Sequence, residues 1–211
     1  MPKRQTRYVE NIKAKKLDNH ARALGQAALA WNDLHEWLGF IFASLSVGRD
    51  GVLNSHVLVW HAVASDRSKR EMLLAIAKFW LREKPRDFNA VKWVVDKATA
   101  LEDDRNNVVH APIWSSRLDT VVLPQGTWGN VRALKLEKKN SSLMAEYRYV
   151  RDTAVVLRNY AYDLYHALGD DRRFAWPQKP ALPSRPRSQK PPHAPQEPPA
   201  KPRGQLPTGG R

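Results

Sequence analysis

A chain of 211 residues is long enough for one domain with a core and a polar appendage, and 42% hydrophobic residues suffice for that core. There is no cysteine, which excludes a disulfide framework and a thiolate metal site. Thirty-five Lys+Arg against 21 Asp+Glu leave a formal charge of +14, a balance that favours polyanionic partners: RNA, DNA or an acidic protein surface.

Residues 1–16 form a basic N-terminal extension with Lys3, Arg4, Arg7, Lys13, Lys15 and Lys16 and little periodicity. No apolar run of signal-peptide type follows them, and no stretch approaches the length of a membrane span. A cytoplasmic location is therefore expected. From Leu17 a stripe of Leu17, Ala21, Leu24, Ala28, Trp31, Leu34, Leu38, Ile41 and Leu45 steps by threes and fours, the signature of a long amphipathic helix. Gly48-Arg49-Asp50-Gly51 is turn chemistry and ends it. Residues 52–64 are short and apolar, and a helix suits their helical flanks better than a strand.

Ser68-Lys69-Arg70-Glu71 has the capping-box pattern and predicts a helix through Met72, Ala75, Ile76, Phe79 and Trp80. Pro85 suits the first turn of the next helix, which buries Phe88, Val91, Val95, Ala98 and Leu101. From about 113 to 137 the period changes. Val121-Val122-Leu123, turn signals at Pro124-Gln125-Gly126 and Gly129-Asn130, and the alternating Val131 to Leu136 predict an inserted β-hairpin. The last helix repeats Leu143, Tyr147, Val150, Ala154, Leu157, Ala161, Leu164 and Leu168 at alternating steps of four and three, as bundle helices do. Eleven of the 15 prolines lie between Pro177 and Pro207, so residues 171–211 are expected to be a disordered, basic tail, either solubilising or polyanion-binding. The fold expected is all-α: about four long helices over 17–170 with a hairpin insertion.

Leu101 to Trp114 is the stretch with chemical content. Arg105, Asn106 and His110 are residue types suited to phosphodiester cleavage. A histidine can take the 2′-hydroxyl proton of RNA or protonate the leaving oxygen. A guanidinium can grip phosphate with two bonds and stabilise charge that builds on it, and an asparagine can orient either group. On an ideal helix Arg105 and His110 lie about 140° apart. Pro112 drives Ala111 out of the α region and loosens the last turn, which lets the two approach. No metal is needed, and no Asp/Glu/His grouping has convincing metal spacing.

Arg105-Asn106-Asn107-Val108-Val109-His110 resembles the Arg-x4-6-His motif of the HEPN superfamily, with the polar residue that often follows the arginine. The order of helices from Leu17 to Leu168 resembles that family too. The resemblance implies a metal-independent endoribonuclease of toxin–antitoxin or phage-defence type, with Arg105 on phosphate, His110 as acid/base and Asn106 orienting them. It implies a homodimer in which two motifs share one cleft, and an antitoxin-like partner protein. The family pattern that has an aromatic two residues after the histidine is absent, because Pro112 stands there. Non-catalytic RNA-binding or assembly modules share the same fold, and a structural protein with a solubilising charge is a third reading.

Other features have two readings each. Arg67, Lys69 and Arg70 at a helix start can bind RNA phosphate or form a capped, solvated turn. Glu102, Asp103 and Asp104 point in different directions on a helix, which suits a solvated acidic turn better than a metal site. His20, His35, His56, His61 and His166 are scattered and read as structural.

Overall fold

The computed structural model describes residues 3–47, 53–110, 114–115, 121–122, 143–169 and 173–186, with side chains for 17–46, 55–110, 143–169 and 173–186. These residues form α1 (Lys3–Val47), α2 (Leu53–Ala62), α3 (Asp66–Trp80), α4 (Pro85–Val109) and α5 (Leu143–Leu168). The expected all-helical architecture is what is found. No described helix is long and apolar enough to cross a membrane.

Helix α1 begins at Lys3, so the backbone is already helical where residues 1–16 were expected to be an extension. The apolar stripe buries from its middle onward: Trp31, Leu34, Leu38 and Ile41 are inside, while Leu17 and Ala21 are exposed. On α5 the interior positions Tyr147, Val150, Ala154, Leu157, Ala161 and Leu164 are all buried. Residues 52–64 contain a helix, α2, whose Trp60 is the one described side chain it sinks into the core.

Helices α1 and α5 form the central pair. Gln26 meets Arg151 and Asp33 meets Arg158, each pair 125 residues apart, and Trp37 meets Tyr162 at the same spacing. A constant offset means that the two helices run parallel in one register. Helix α4 runs the other way along α5, with Trp93 against Tyr160. Helix α3 lies between α4 and α1, which closes a four-helix ring, and α2 packs on α1. Buried side chains from all five helices form one core.

Gly39 sits where α2 crosses α1. A Cβ there would lie 2.8 Å from the Trp60 indole. The approach of the two helices therefore depends on a missing side chain. Gly39→Ala is expected to destabilise by about 1–3 kcal/mol through overpacking, although alanine is the better helix former. A urea midpoint at or above that of the wild type would contradict this.

The expected hairpin over 113–137 is not supported. The described residues carry only a two-residue antiparallel ladder, β1 (Trp114–Ser115) with β2 (Val121–Val122), in which Trp114 faces Val122. Val121 and Val122 thus pair with a segment before them. Val131 to Leu136, the expected partner, lies outside the described residues. A ladder this short cannot stabilise itself.

Part of the tail differs as well, while residues 187–211 lie outside the described residues. Residues 173–186, expected to be disordered, are laid along the bundle as a strap. Prolines 177, 180, 183 and 186 recur every third residue, the period of an extended polyproline helix. Burial follows that period: the four prolines are half-buried, and Gln178, Ala181 and Ser184 are exposed. Trp176 and Leu182 pack against the core. At one end the Arg86 guanidinium lies 3.9 Å from the centre of the Trp176 ring. At the other, Arg185 Nη2 is 2.8 Å from Asp104 Oδ2, and Arg185 Nε donates to Tyr149 Oη at 3.3 Å. From Arg86 to Asp104 is about 27 Å at 1.5 Å per helical residue. Trp176 to Arg185 spans about 28 Å at the 3.1 Å rise of a polyproline strand. The two lengths match, so the strap lies stretched beside α4.

Asp104 is 5% exposed, and the strap brings a cation to its carboxylate. A chain ending at residue 172 is expected to be less stable than one ending at 186 by about 2 kcal/mol, from a buried acid left without its cation. The melting temperature should drop by about 4–8 °C. Equal melting of the two chains would show that the strap contributes nothing to the fold.

Candidate functional site

Pro85 is the first residue of α4, as the sequence predicts, and the helix ends at Val109 with His110 as its C-cap. The His110 amide donates to the Asn106 carbonyl at 3.2 Å, and the residue is exposed. The last turn does end ahead of Pro112. Arg105 and Asn106 are half-buried and bonded to each other, Nη1 to Oδ1 at 2.8 Å. That bond orients the guanidinium, which reaches towards α1 and lies 5.7 Å from the centre of the Trp31 ring. Arg105 Nε is buried and has no hydrogen-bond partner among the described residues.

Under Arg105 lies a buried polar cluster built from three helices. Ser65 caps α3: its Oγ accepts from the Ser68 amide at 3.3 Å. The cap is three residues earlier than the Ser68–Glu71 pattern predicts, so Asp66 becomes the first residue of the helix, where the dipole favours an acid. Asp66 Oδ2 accepts from Trp31 Nε1 at 2.9 Å. Burial alone would raise the Asp66 pKa, but the Trp31 bond and the charges of His35, Lys69 and Arg105 together hold it below its ordinary value.

Arg70, expected to face RNA, is turned inward and is 1% exposed. Its Nη2 donates to Glu102 at 2.6 Å, its Nε to Thr99 at 3.1 Å, and its Nη1 lies 3.2 Å from His35 Nε2. Arginine can only donate, so His35 Nε2 accepts and the ring proton is on Nδ1, 3.7 Å from Asp66 Oδ1. Arg70 thus ties α3 to α1 and α4 and cannot also grip a phosphate. Lys69 is mostly covered and 3.9 Å from Asp66, whereas Arg67 is exposed and paired with Glu71 at 2.9 Å. Of the three expected phosphate contacts, only Arg67 points fully to solvent.

Burial pushes His35 down to about 4, Asp66 opposes this, and Arg70, Lys69 and Arg105 reinforce it. The fold therefore keeps His35 neutral while an unfolded histidine would titrate near 6.5. Above that pH neither state binds the proton, and stability is undiminished. As pH falls the unfolded chain gains a proton that the fold refuses, so stability is lost at roughly 1.4 kcal/mol per unit until about pH 4. His35→Gln should flatten this window in a pH series of urea midpoints; an unchanged slope would assign the loss to another group.

The three adjacent acids separate as helix geometry dictates. Glu102 turns to Arg70, Asp104 to Arg185, and only Asp103 is exposed, so the solvated turn is confined to one residue. No group of three acids or histidines able to hold a metal occurs among the described residues. Sequence reasoning missed the cluster around His35. Its signal is a histidine and an arginine lying on core stripes, His35 between Trp31 and Leu38 and Arg70 three residues before Leu73.

What the arrangement can do is present an oriented guanidinium, backed by an indole, at the end of a helix that also ends in an exposed imidazole. No family model, curated protein or solved structure matches this chain.

Proposed function

We propose that the protein is a metal-independent endoribonuclease of HEPN type, acting on RNA at the end of α4. The observation that supports it is the exposed His110 at the C-cap, one turn beyond an Arg105 that Asn106 holds in place. Arg105 binds the scissile phosphate, His110 moves the proton, and Asn106 fixes the guanidinium. The reaction is transesterification: the 2′-oxygen attacks phosphorus, its proton passes to a base, and the 5′-oxygen leaves with a proton. The test is cleavage of one labelled RNA by wild type and His110→Ala with matched circular dichroism. Equal cleavage by the two would remove the assignment.

A second reading, a non-catalytic RNA-binding module, is favoured by the inward reach of Arg105 over Trp31. Retention of several RNAs with no cleavage would select it.

The active form we propose is a homodimer in the cytoplasm, in which two motifs share a cleft, with an antitoxin-like partner protein as its regulator. Trp31 and Tyr160 are buried in the protomer's own core. Trp37 and Tyr165 stay half-buried in an aromatic group with Phe40, Tyr162, His166 and Phe174. Light scattering at micromolar concentration is expected to give twice the chain mass; a monomer there would count against the shared cleft.

A further inference from the structure

A cavity of about 400 Å³ opens where the strap begins, between α4 and α5. Arg86 and Asn89 of α4, Tyr160 of α5, and Trp176, Gln178 and Lys179 of the strap line it. It lies about 28 Å along α4 from Arg105, at the other end of the helix. Every polar side chain in that lining can donate a hydrogen bond, two are cations, and none is an acid. A wall of that composition selects an anion. Trp176 and Pro177 supply apolar surface suited to a flat ring.

The cations are available. The Arg86 guanidinium rests on Trp176, and among the described residues only its Nε is engaged, with Asp87 Oδ1 at 3.1 Å. Both Nη groups are left to fork onto a carboxylate. Lys179 is exposed. Asp87 set against Arg86 and Lys179 leaves one net positive charge, which suits a monoanion better than a phosphate dianion. Tyr160 is the independent sign of a ligand. The residue is 3% exposed, and its ring packs edge-on against Trp93 at 4.8 Å. Burial raises its pKa and no hydrogen bond opposes that, so the phenol keeps a proton to donate. Tyr147 Oη is sealed in the core without a partner, whereas Tyr160 reaches the cavity wall, where an acceptor can meet it.

The geometry points to a binding site for a small aromatic carboxylate, enclosed by the strap, α4 and α5. Arg86 and Lys179 hold the carboxylate, the Tyr160 hydroxyl donates to it, and the ring lies against Trp176 and Pro177. The Asn89 and Gln178 amides face substituents on the ring. A volume of this size is that of an ordinary small-molecule site. The site is independent of the RNA reading.

The experiment is calorimetric titration of the full chain with benzoate, and with benzamide, acetate and inorganic phosphate as controls. Benzoate is expected to bind with a dissociation constant of about 1 mM or tighter, and each control at least about tenfold more weakly. Tyr160→Phe keeps the ring and removes the donor; benzoate binding should weaken about tenfold and its preference over benzamide should shrink. Lys179→Gln should cost a few-fold. Circular dichroism checks both folds. No saturable benzoate binding below about 10 mM would overturn the inference. Acetate or phosphate binding as well as benzoate would reduce the site to a basic surface that takes any anion, and overturn it too. Unchanged benzoate affinity in folded Tyr160→Phe would place the binding elsewhere. Should that variant fail to fold, Lys179→Gln decides: its side chain is exposed, and unchanged affinity there would remove the site.

Discussion

Glu102→Ala is expected to destabilise the protein by about 3 kcal/mol, the largest single-residue stability loss predicted for the polar interior. Arg70 is 1% exposed and cannot shed its charge, and Glu102 accepts from it at 2.6 Å. Removing the carboxylate leaves a buried cation with Thr99, the neutral His35 and the face of Trp31, none of which carries a compensating charge. The loss falls at the low end of the range for broken buried pairs because Glu102 keeps a quarter of its side-chain exposure, which lets water replace part of it. Replacing both partners, Arg70→Met with Glu102→Leu, should recover most of the stability, since neither charge is then left alone. Urea unfolding of the single and double variants measures the coupling. A double variant as unstable as the single would show that the pair contributes more than mutual compensation.

His110→Ala is expected to lower RNA cleavage by roughly two to four orders of magnitude, the contribution of a positioned acid/base. Its fold should be unaffected, because the residue is exposed and beyond the last α4 residue. Arg105→Ala should impair cleavage comparably through lost charge stabilisation, and Arg105→Lys should rescue it poorly because the two-bond fork is gone. Arg105 needs the circular dichroism control more than His110 does, since it lies half-buried over Trp31. Wild-type cleavage should persist in EDTA and leave 2′,3′-cyclic phosphate ends, and DNA, lacking the attacking hydroxyl, should resist. If both alanine variants cleave as wild type does, the motif is a structural coincidence.

The helices that pack by simple periodicity are legible in the sequence. The α5 stripe fills the interior at every position between its ends, with Glu146 and Thr153 buried beside it, because apolar burial at steps of three and four decides most of that face. The α3 face is not. Met72, Ala75, Ile76 and Phe79 look like its apolar side, yet Leu73 and Ala77 are the buried residues and Phe79 is 59% exposed. The winning face begins with Arg70, and a charged residue can head a buried stripe only when partners wait on other helices, which one stretch of sequence cannot show. The strap is hidden by composition: prolines argue for disorder unless their spacing of three is read together with Trp176 and Leu182. At the site, the exposed His110 and the helix end follow from Pro112, whereas the inward swing of Arg105 is set by Trp31, 74 positions earlier in the chain.

The parallel register of α1 and α5 constrains how the molecule can assemble as it is synthesised. Helices that run the same way cannot be joined by a tight turn, so their contacts wait for a chain segment more than 100 residues downstream. Until α5 emerges, Trp31, Leu34 and Leu38 have only the earlier helices to lie against. Local contacts within α3 and α4 can form first, but the core closes last, around α5. The expected kinetic signature is a refolding rate that responds to substitutions at Val150, Ala154 and Leu157 more than to those on α2. During translation, the ribosome would have to release nearly the whole described chain before the bundle becomes resistant to protease.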